Sequence, residues 1–239
     1  MNCKRIIPDT LTSCNLLCGS VAVFLATQNA SKETFIMAFC FILAGAFFDF
    51  FDGLSARLLK APSPIGIQLD SLADDITFGL APSMMLFCYL KPILGWWAIL
   101  ALVMAAFSAL RLAKFNVDER QHDSFIGLAT PANAIFWGGI CCLPVSVLAY
   151  DWMAWVLLGL SFVSCYLLNA EIPFFSFKSF KREKAIIICF LIGCLILLGF
   201  CIYKAVVTKH IEFAFFSGTA CIVWYVAVNL LLACRKCKA

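Results

Sequence analysis

The stretch from residue 49 to residue 74, DFFDGLSARLLKAPSPIGIQLDSLAD, decides the fold and the chemistry of this chain. It places four aspartates, Asp49, Asp52, Asp70 and Asp74, inside an otherwise strongly apolar sequence. An ionised carboxylate at membrane depth costs about 2.5 kcal/mol or more, so such residues are usually functional. Four together repel one another unless cations lie among them. The stretch therefore predicts a site for divalent cations.

The composition predicts an all-α integral membrane protein. Hydrophobic residues make up 63% of the 239-residue chain and charged residues 13%, whereas a soluble domain carries about 25% charged residues. The apolar residues come in blocks of about 20, the length that crosses a hydrocarbon core of about 30 Å. We expect one polytopic membrane domain over residues 1–239, whose N-terminal segment is a retained first helix.

The hydrophobic blocks predict about eight transmembrane helices, and the basic residues predict their orientation. Eight helices starting in the cytoplasm would put 14 of the 18 Lys and Arg on the cytoplasmic side. The positive-inside rule then predicts that both termini and the carboxylates face the cytoplasm, in the cell inner or plasma membrane. The net charge of +4 follows from this topology and indicates no nucleic acid. The predicted spans are 10–27, 34–57, 66–90, 93–112, 125–149, 151–169, 184–204 and 211–233.

The 14 cysteines do not predict a metal site. Most of them lie singly in apolar spans, where cysteine behaves as a small hydrophobic residue. The one CxxC, from Cys234 to Cys237, would need two further ligands to bind zinc, and the only histidines are His122 and His210. We expect these cysteines to be packing residues or reduced cytoplasmic thiols.

Helical spacing brings the four aspartates together. Asp49, Asp52, Gly53 and Ala56 follow at i, i+3, i+4 and i+7, which is one helical face, and Arg57 comes next. After a break at the two prolines of KAPSP, Gly66, Asp70 and Asp74 follow at i, i+4 and i+8, again on one face. Two antiparallel helices would then present four carboxylates to one cleft. Hard oxygen ligands suit Mg²⁺ or Mn²⁺, and two ions would balance the charge and leave positions open for a substrate phosphate.

Helix caps and ion pairs are the alternative explanation of these aspartates. The cations available for pairing are Arg57, Lys60, Arg111 and Lys114, against five aspartates when Asp75 is included. This explanation leaves charge unbalanced and does not account for the spacing.

The motif resembles the signature of the CDP-alcohol phosphotransferase family, D-x2-D-G-x2-A-R-x7–8-G-x3-D-x3-D, at every fixed position. The resemblance implies a membrane enzyme that moves a phosphatidyl or similar group from a CDP-linked donor to an alcohol and releases CMP. It also implies a six-helix core and a homodimer. Carried across by position, it makes the four aspartates metal ligands and Asp74 also the general base. The residues implied for donor binding are Gly53, Ala56, Arg57 and Gly66.

Four further runs resemble the bacterial and archaeal phosphatidylserine synthase branch of that family. They are KRIIPDTLTSCNLLCG (4–19), DSLADDITFGLAP (70–82), SALRLAKFN (108–116) and FIGLATPANA (125–134); the last two resemble RLARFN and GLP(S/T)PAA. The resemblance covers about the first 135 residues and implies CDP-diacylglycerol as donor and L-serine as acceptor. The sequence departs from the branch at Asp9, where Asn is usual, at Lys114, where Arg is usual, and at Asp75, where an apolar residue is usual.

Region 108–134 carries the candidate acceptor residues. Arg111, Lys114 and Asn116 end the fourth predicted span, and the first two share a helical face. We hypothesise that they orient the serine carboxylate, with Arg111 favoured because its guanidinium pairs with a carboxylate through two hydrogen bonds. The alternative is that these residues only anchor the helix by the positive-inside rule.

Two polar residues have open roles. Asn15 in the first span is either a donor-binding residue or a hydrogen-bond partner of a neighbouring helix. Asp75 lies about 100° around the helix from Asp74, so it either supports the site or faces the cytoplasm.

Other functions are also compatible with parts of the pattern. Glycerol 3-phosphate or inositol phosphate could replace serine as acceptor, which would require more cations near the cleft. An ion-coupled transporter also carries intramembrane acids, but the sequence shows no inverted repeat.

Overall fold

The computed structural model describes residues 3–28, 31–60, 63–118, 125–144, 150–174 and 184–236. This described part contains nine α-helices, one π-helical segment, one 3₁₀ helix and one pair of two-residue strands. The helices are α1 (Cys3–Gln28), α2 (Lys32–Leu58), α3 (Pro64–Asp74), α4 (Ala81–Leu94), α5 (Val103–Val117), α6 (Thr130–Cys141), α7 (Asp151–Asn169), α8 (Lys184–Thr208) and α9 (Glu212–Lys236). Strands β1 (Phe125–Ile126) and β2 (Pro173–Phe174) pair antiparallel. The predicted all-α membrane fold is confirmed.

The helices that carry the aspartates begin at side-chain caps. Ser31 precedes α2, and its hydroxyl accepts a hydrogen bond from the backbone N–H of Thr34 at 3.3 Å. Ser63 precedes α3 and accepts from the N–H of Gly66 at 2.9 Å, while Pro64 occupies the first turn, where its missing N–H removes no helical hydrogen bond. The predicted break between the two aspartate helices is therefore present.

The chain from Pro64 to Val117 is one long helical run with two irregular segments. Residues Asp75–Leu80 form a π-helical segment directly after Asp74. Gly95 has a φ of 55°, a value that favours glycine, and it begins a 3₁₀ segment over Gly95–Leu102. Both segments depart from 3.6 residues per turn. The faces on which later side chains lie therefore cannot be predicted from a regular helical period.

Within the described residues, six segments are long and apolar enough to cross a membrane. One of them, Pro64–Val117, has 54 residues and covers the third and fourth predicted spans. The fifth predicted span, 125–149, contains the 12-residue α6, and residues 145–149 lie outside the described part. The chain is an integral membrane protein, and the count of eight crossings stays a prediction.

The interior of the bundle is close-packed. Its largest fully buried side chains include Trp137, Tyr89 and Phe35. Helix α1 and helix α2 approach the π segment so closely that a Cβ at Gly19 would lie 2.7 Å from the Thr77 Cα. Glycine at position 19 permits this close approach. The approach holds Thr12 and Asn15 of α1 against the helices that carry the aspartates.

The last two helices form a hairpin that packs on this bundle. Helix α9 contacts α6, and the Lys32 ammonium of α2 pairs with the Glu212 carboxylate at the start of α9, with Nζ and Oε1 2.7 Å apart. Of the CxxC at the C-terminus, Cys237 and the side chain of Cys234 lie outside the described residues, as does His122.

Candidate active site

Three of the four predicted aspartates form one cluster. Asp49, Asp70 and Asp74 each offer a carboxylate oxygen, and these three atoms lie within 4.8 Å of one another. Two unit charges about 5 Å apart repel by roughly 3 kcal/mol at an effective dielectric of about 20. In the described part of the chain, no Lys or Arg lies within ion-pair distance of the cluster. The predicted alternative of helix caps and ion pairs therefore finds no support at these residues.

The residues present fit a divalent cation. The Oδ1 atom of Asp70 is buried and has no hydrogen-bond partner among the described residues, which is unfavourable for a carboxylate oxygen unless a cation or donor binds it. Carboxylate oxygens converging from two helices are the ligands that Mg²⁺ and Mn²⁺ prefer. The cluster is thus able to hold an ion.

Asp52 lies beside the cluster, in a hydrogen bond with α1. Its side chain is buried, 5% exposed, and Oδ2 accepts a hydrogen bond of 2.6 Å from the hydroxyl of Thr12. Thr12 was not among the residues predicted from the sequence. Thr12 lies four residues after Pro8 and three before Asn15, so all three share one face of α1. This shared face is the sequence signal that could have predicted Thr12 as a site residue.

Asn15 positions Asp74. Its side-chain Nδ2 donates to Asp74 Oδ1 at 3.0 Å, and its backbone carbonyl accepts from the Thr77 hydroxyl at 3.0 Å. Asn15 is fully buried and does not line the pocket next to the aspartates. The interhelical hydrogen bond considered for Asn15 is present in the structure.

A pocket of about 200 Å³ opens beside the aspartates between α1, α2 and α3. Signature residues form much of its wall, and the space next to Gly53 is open: a Cβ there would meet only the tip of Arg57, 4.0 Å away. Arg57 itself is exposed, and its Nε donates to the Gly53 carbonyl. The lining residues are Pro8, Asp9, Thr12, Asp52, Gly53, Ala56, Ser63, Gly66, Ile67 and Asp70.

A second pocket of about 330 Å³ brings together two of the three predicted acceptor residues. Arg111 and Lys114 both line it, together with Asp118 and Glu171. Asn116 does not line it, and its side chain donates to the Ser71 hydroxyl at 2.7 Å.

Arg111 is held inside the bundle. It is 7% exposed, and one terminal nitrogen donates to the Thr130 hydroxyl at 3.3 Å. The guanidinium lies 5.6 Å from the Phe115 ring centroid. Its Nε is buried with no partner in the described residues. A buried, incompletely paired guanidinium is costly as a mere membrane anchor, so the anchoring alternative explains Lys114 better than Arg111.

Asp75 points away from the cluster. Its Oδ1 and the Ser108 hydroxyl of α5 both lie against Gly79, where a Cβ would collide with both atoms. The group of carboxylates that could hold an ion does not include Asp75.

Comparison with known proteins identifies the family. The sequence profile of the CDP-alcohol phosphatidyltransferases matches residues 5–167. The chain belongs to this family. The aspartates of the cluster, the 200 Å³ pocket and helices α2–α6 fall within the matched residues, as do most of α1 and α7. The 330 Å³ pocket extends to residues 168–171, just past the match, and α8 and α9 lie beyond it. The predicted family and the predicted class, a membrane transferase, are confirmed.

Several proteins similar to this CDP-alcohol phosphatidyltransferase carry the name CDP-diacylglycerol–serine O-phosphatidyltransferase. The one from Bacillus subtilis is 35% identical over 182 residues, which is 74% of this chain and 94% of the relative. The one from Methanocaldococcus jannaschii is 31% identical over 183 residues, 77% of this chain and 81% of the relative. The one from Helicobacter pylori strain 26695 is 37% identical over 139 residues, and the match spans 56% of each protein.

The hydrogen bond to Asp52 is open to a direct test. On the prediction that Asp52 is a ligand of Mg²⁺, we expect Thr12→Val to raise the Mg²⁺ concentration needed for half-maximal activity about ten-fold, because residues that orient a metal-binding carboxylate typically contribute 10- to 100-fold. Thr10→Val is the matched control, since the Thr10 hydroxyl is exposed and, among the described residues, donates to the Ile6 carbonyl of its own helix. Equal metal titrations for the two variants would contradict a role for Thr12.

Proposed function

We propose that this protein transfers the phosphatidyl group of CDP-diacylglycerol to the hydroxyl of L-serine and releases CMP. The observation that carries the proposal is the three-carboxylate cluster beside a pocket lined by Gly53 and Gly66 of the family signature. Relatives at 31–37% identity bear the name of that activity, which supports serine as the acceptor.

We propose that Asp49, Asp52, Asp70 and Asp74 hold two divalent cations, Mg²⁺ or Mn²⁺. When bound, such ions neutralise charge on the diphosphate and on the leaving phosphate oxygen. The cytidine diphosphate would lie in the 200 Å³ pocket, against Gly53, Ala56 and Gly66, with Arg57 at its rim and the acyl chains in the bilayer. We propose that Asn15 does not bind the donor directly but positions the Asp74 carboxylate by its hydrogen bond.

Asp74 is the proposed general base. Its carboxylate takes the proton of the serine hydroxyl, and the serine oxygen forms a bond to the β-phosphorus of the donor. The bond from that phosphorus to the bridging oxygen breaks, and CMP leaves with the electron pair. The Asn15 amide donates to Asp74 Oδ1 at 3.0 Å and so fixes the orientation of the carboxylate that receives the proton.

The charge around the 330 Å³ pocket favours serine over a phosphorylated acceptor. Arg111 and Lys114 are balanced there by Asp118 and Glu171, an arrangement that matches a zwitterion with one carboxylate and one ammonium. A phosphate dianion, as in glycerol 3-phosphate or inositol phosphate, would need an excess of cations. Asn116, paired with Ser71, would support the pocket's rim. An ion-coupled transporter finds no such support in the two pockets.

We propose that the protein functions as one membrane domain over residues 1–239, with the catalytic motif at 49–74 and the acceptor region at 108–134. Both termini and the active site would face the cytoplasm of the inner or plasma membrane, because most Lys and Arg lie at that end. We also propose that the protein forms a homodimer, because its resemblance to the family implies one.

CMP release from CDP-diacylglycerol tests the proposal. Purified protein in detergent with Mg²⁺ or Mn²⁺ would be assayed with serine, glycerol 3-phosphate, inositol and inositol phosphate in turn. We expect release with serine. Release only with another acceptor would keep the metal site and refute the serine assignment, and solute uptake into vesicles without CMP release would favour a transporter.

Replacing Arg111 separates acceptor binding from donor binding. We expect Arg111→Ala to raise the serine KM at least about ten-fold, since a charge-assisted hydrogen bond contributes about 1.5–3 kcal/mol, and to change the KM for CDP-diacylglycerol little. Arg111→Lys keeps the charge and loses the two-pronged geometry, so it should recover only part of the effect. Arg57→Ala is the control at the donor pocket: we expect it to raise the KM for CDP-diacylglycerol more than the KM for serine. Equal effects of Arg111→Ala on both KM values would refute the assignment.

A further inference from the structure

A third cavity, of about 370 Å³, lies between α6, α7 and α9. Its walls are almost wholly apolar, and its volume lies within the range of about 300–1,000 Å³ typical of small-molecule sites. The lining includes Phe136 of α6, Leu160 and Val163 of α7, and Ile222 and Val226 of α9. Helix α9 lies outside the residues that match the family, so this cavity is formed jointly by the family core and the additional C-terminal hairpin.

One polar side chain, Asn133, lines the cavity and lacks partners. It is 1% exposed, and neither Nδ2 nor Oδ1 has a hydrogen-bond partner among the described residues. A buried amide without partners is destabilising. An unpaired amide on the wall of an apolar cavity indicates a ligand with a hydrogen-bonding group.

We propose that this cavity binds an acyl chain of an accessory membrane phospholipid, whose ester carbonyl accepts a hydrogen bond from Asn133 Nδ2. Asn133 lies one turn from the start of α6, where Thr130 accepts from Arg111, so the amide lies near the polar end of the bundle. Lipid esters occur at this boundary between headgroups and hydrocarbon. An apolar cavity that opens among membrane-spanning helices has lipid chains as its most abundant neighbours.

The cavity is distinct from the proposed donor pocket. The donor pocket is lined from α1, α2, α3 and the cap that precedes α3, and the cavity from α6, α7, α9 and the residue Leu128. The two share no lining residue in the described part of the chain. We therefore assign the cavity to a second lipid and not to the chains of CDP-diacylglycerol.

Photo-cross-linking of the full-length protein tests the assignment. The protein would be reconstituted in vesicles containing a phosphatidylcholine with a diazirine on its acyl chain, irradiated, and mapped by peptide mass spectrometry. We expect labelling of α6, α7 and α9 at the cavity. Val226→Phe, which fills the cavity, should reduce this labelling at least five-fold, whereas Val207→Phe, at a 59% exposed site on α8, should leave it unchanged. Ala227→Leu serves as a smaller cavity-filling variant if Val226→Phe does not fold.

The amide is tested separately by Asn133→Ala. Loss of a hydrogen bond of about 1 kcal/mol predicts about a five-fold weaker labelling, with the cavity still apolar. Equal labelling of the two phenylalanine variants would show ordinary contact with bulk lipid and overturn the proposal. Displacement of the label by CDP-diacylglycerol would assign the cavity to the donor, and cross-links between two protein copies in place of lipid would assign it to a second copy; both results also overturn it.

Discussion

Asp74→Asn is expected to lower the rate of CMP formation at least about 100-fold, because an amide does not accept the proton of the serine hydroxyl and general-base catalysis typically contributes 10²–10⁴-fold. Donor binding should partly survive, since Asp49 and Asp70 remain in the cluster. The measurement is the turnover rate at saturating serine and donor, alongside binding of CDP-diacylglycerol to the same variant.

Two matched variants separate the base from its neighbours. Asp75→Asn changes the adjacent carboxylate, which lies outside the cluster against Gly79 and Ser108, and should retain most of the turnover. Asp70→Asn removes a proposed ligand, and raising the metal concentration should restore part of its activity. Excess metal should not restore Asp74→Asn. Near-normal turnover of Asp74→Asn would rule out its role as the base.

Removal of divalent cations is expected to reduce CMP release to background, and added Mg²⁺ or Mn²⁺ should restore it. The reason is electrostatic: carboxylates about 5 Å apart in this apolar setting repel by roughly 3 kcal/mol per pair at a dielectric of about 20, so the ionised cluster needs a cation before it accepts a diphosphate. The measurement is CMP release after chelation and desalting, with a titration of each metal.

The same titration with Asp70→Asn gives the control for this prediction. Asp70 Oδ1 is the buried oxygen without a partner, so its loss should raise the metal concentration for half-maximal activity at least about ten-fold, the lower end of the effect seen for residues that only support a ligand. Full activity in the chelated wild-type protein would refute the metal-dependent mechanism.

The parts of the site that were predictable from the sequence are those governed by helical period. Residues 49 and 52, and residues 70 and 74, repeat at three or four positions, and each pair lies on one side of a regular helix that ends or begins at the KAPSP break. Because local spacing alone determines which side chains share a face, the convergence of carboxylates from two helices could be predicted without a structure.

Contacts between distant segments were not predictable in the same way. Thr12 reaches Asp52 across 40 residues of sequence, and the bond depends on how closely α1 packs on α2. Arg111 was predicted at the end of the fourth span as an acceptor residue, but its contacts with Thr130 and Phe115 could not be read from the spacing. Asp75 lies outside the cluster, as its 100° step from Asp74 predicts, but its position beside Ser108 depends on how α5 packs on the π segment.

The tight approach of the first two helices to the π segment has a consequence for how this protein tolerates sequence change. A Cβ at Gly45 would lie 2.8 Å from Asn15 Oδ1, on the side chain that holds Asp74. In a library of single substitutions selected for growth, Gly45 and Gly19 should therefore be depleted as strongly as the aspartates, although neither contributes a reactive atom. Intolerance to mutation in this membrane enzyme would mark the positions that set the distance between helices as well as those that carry out the chemistry.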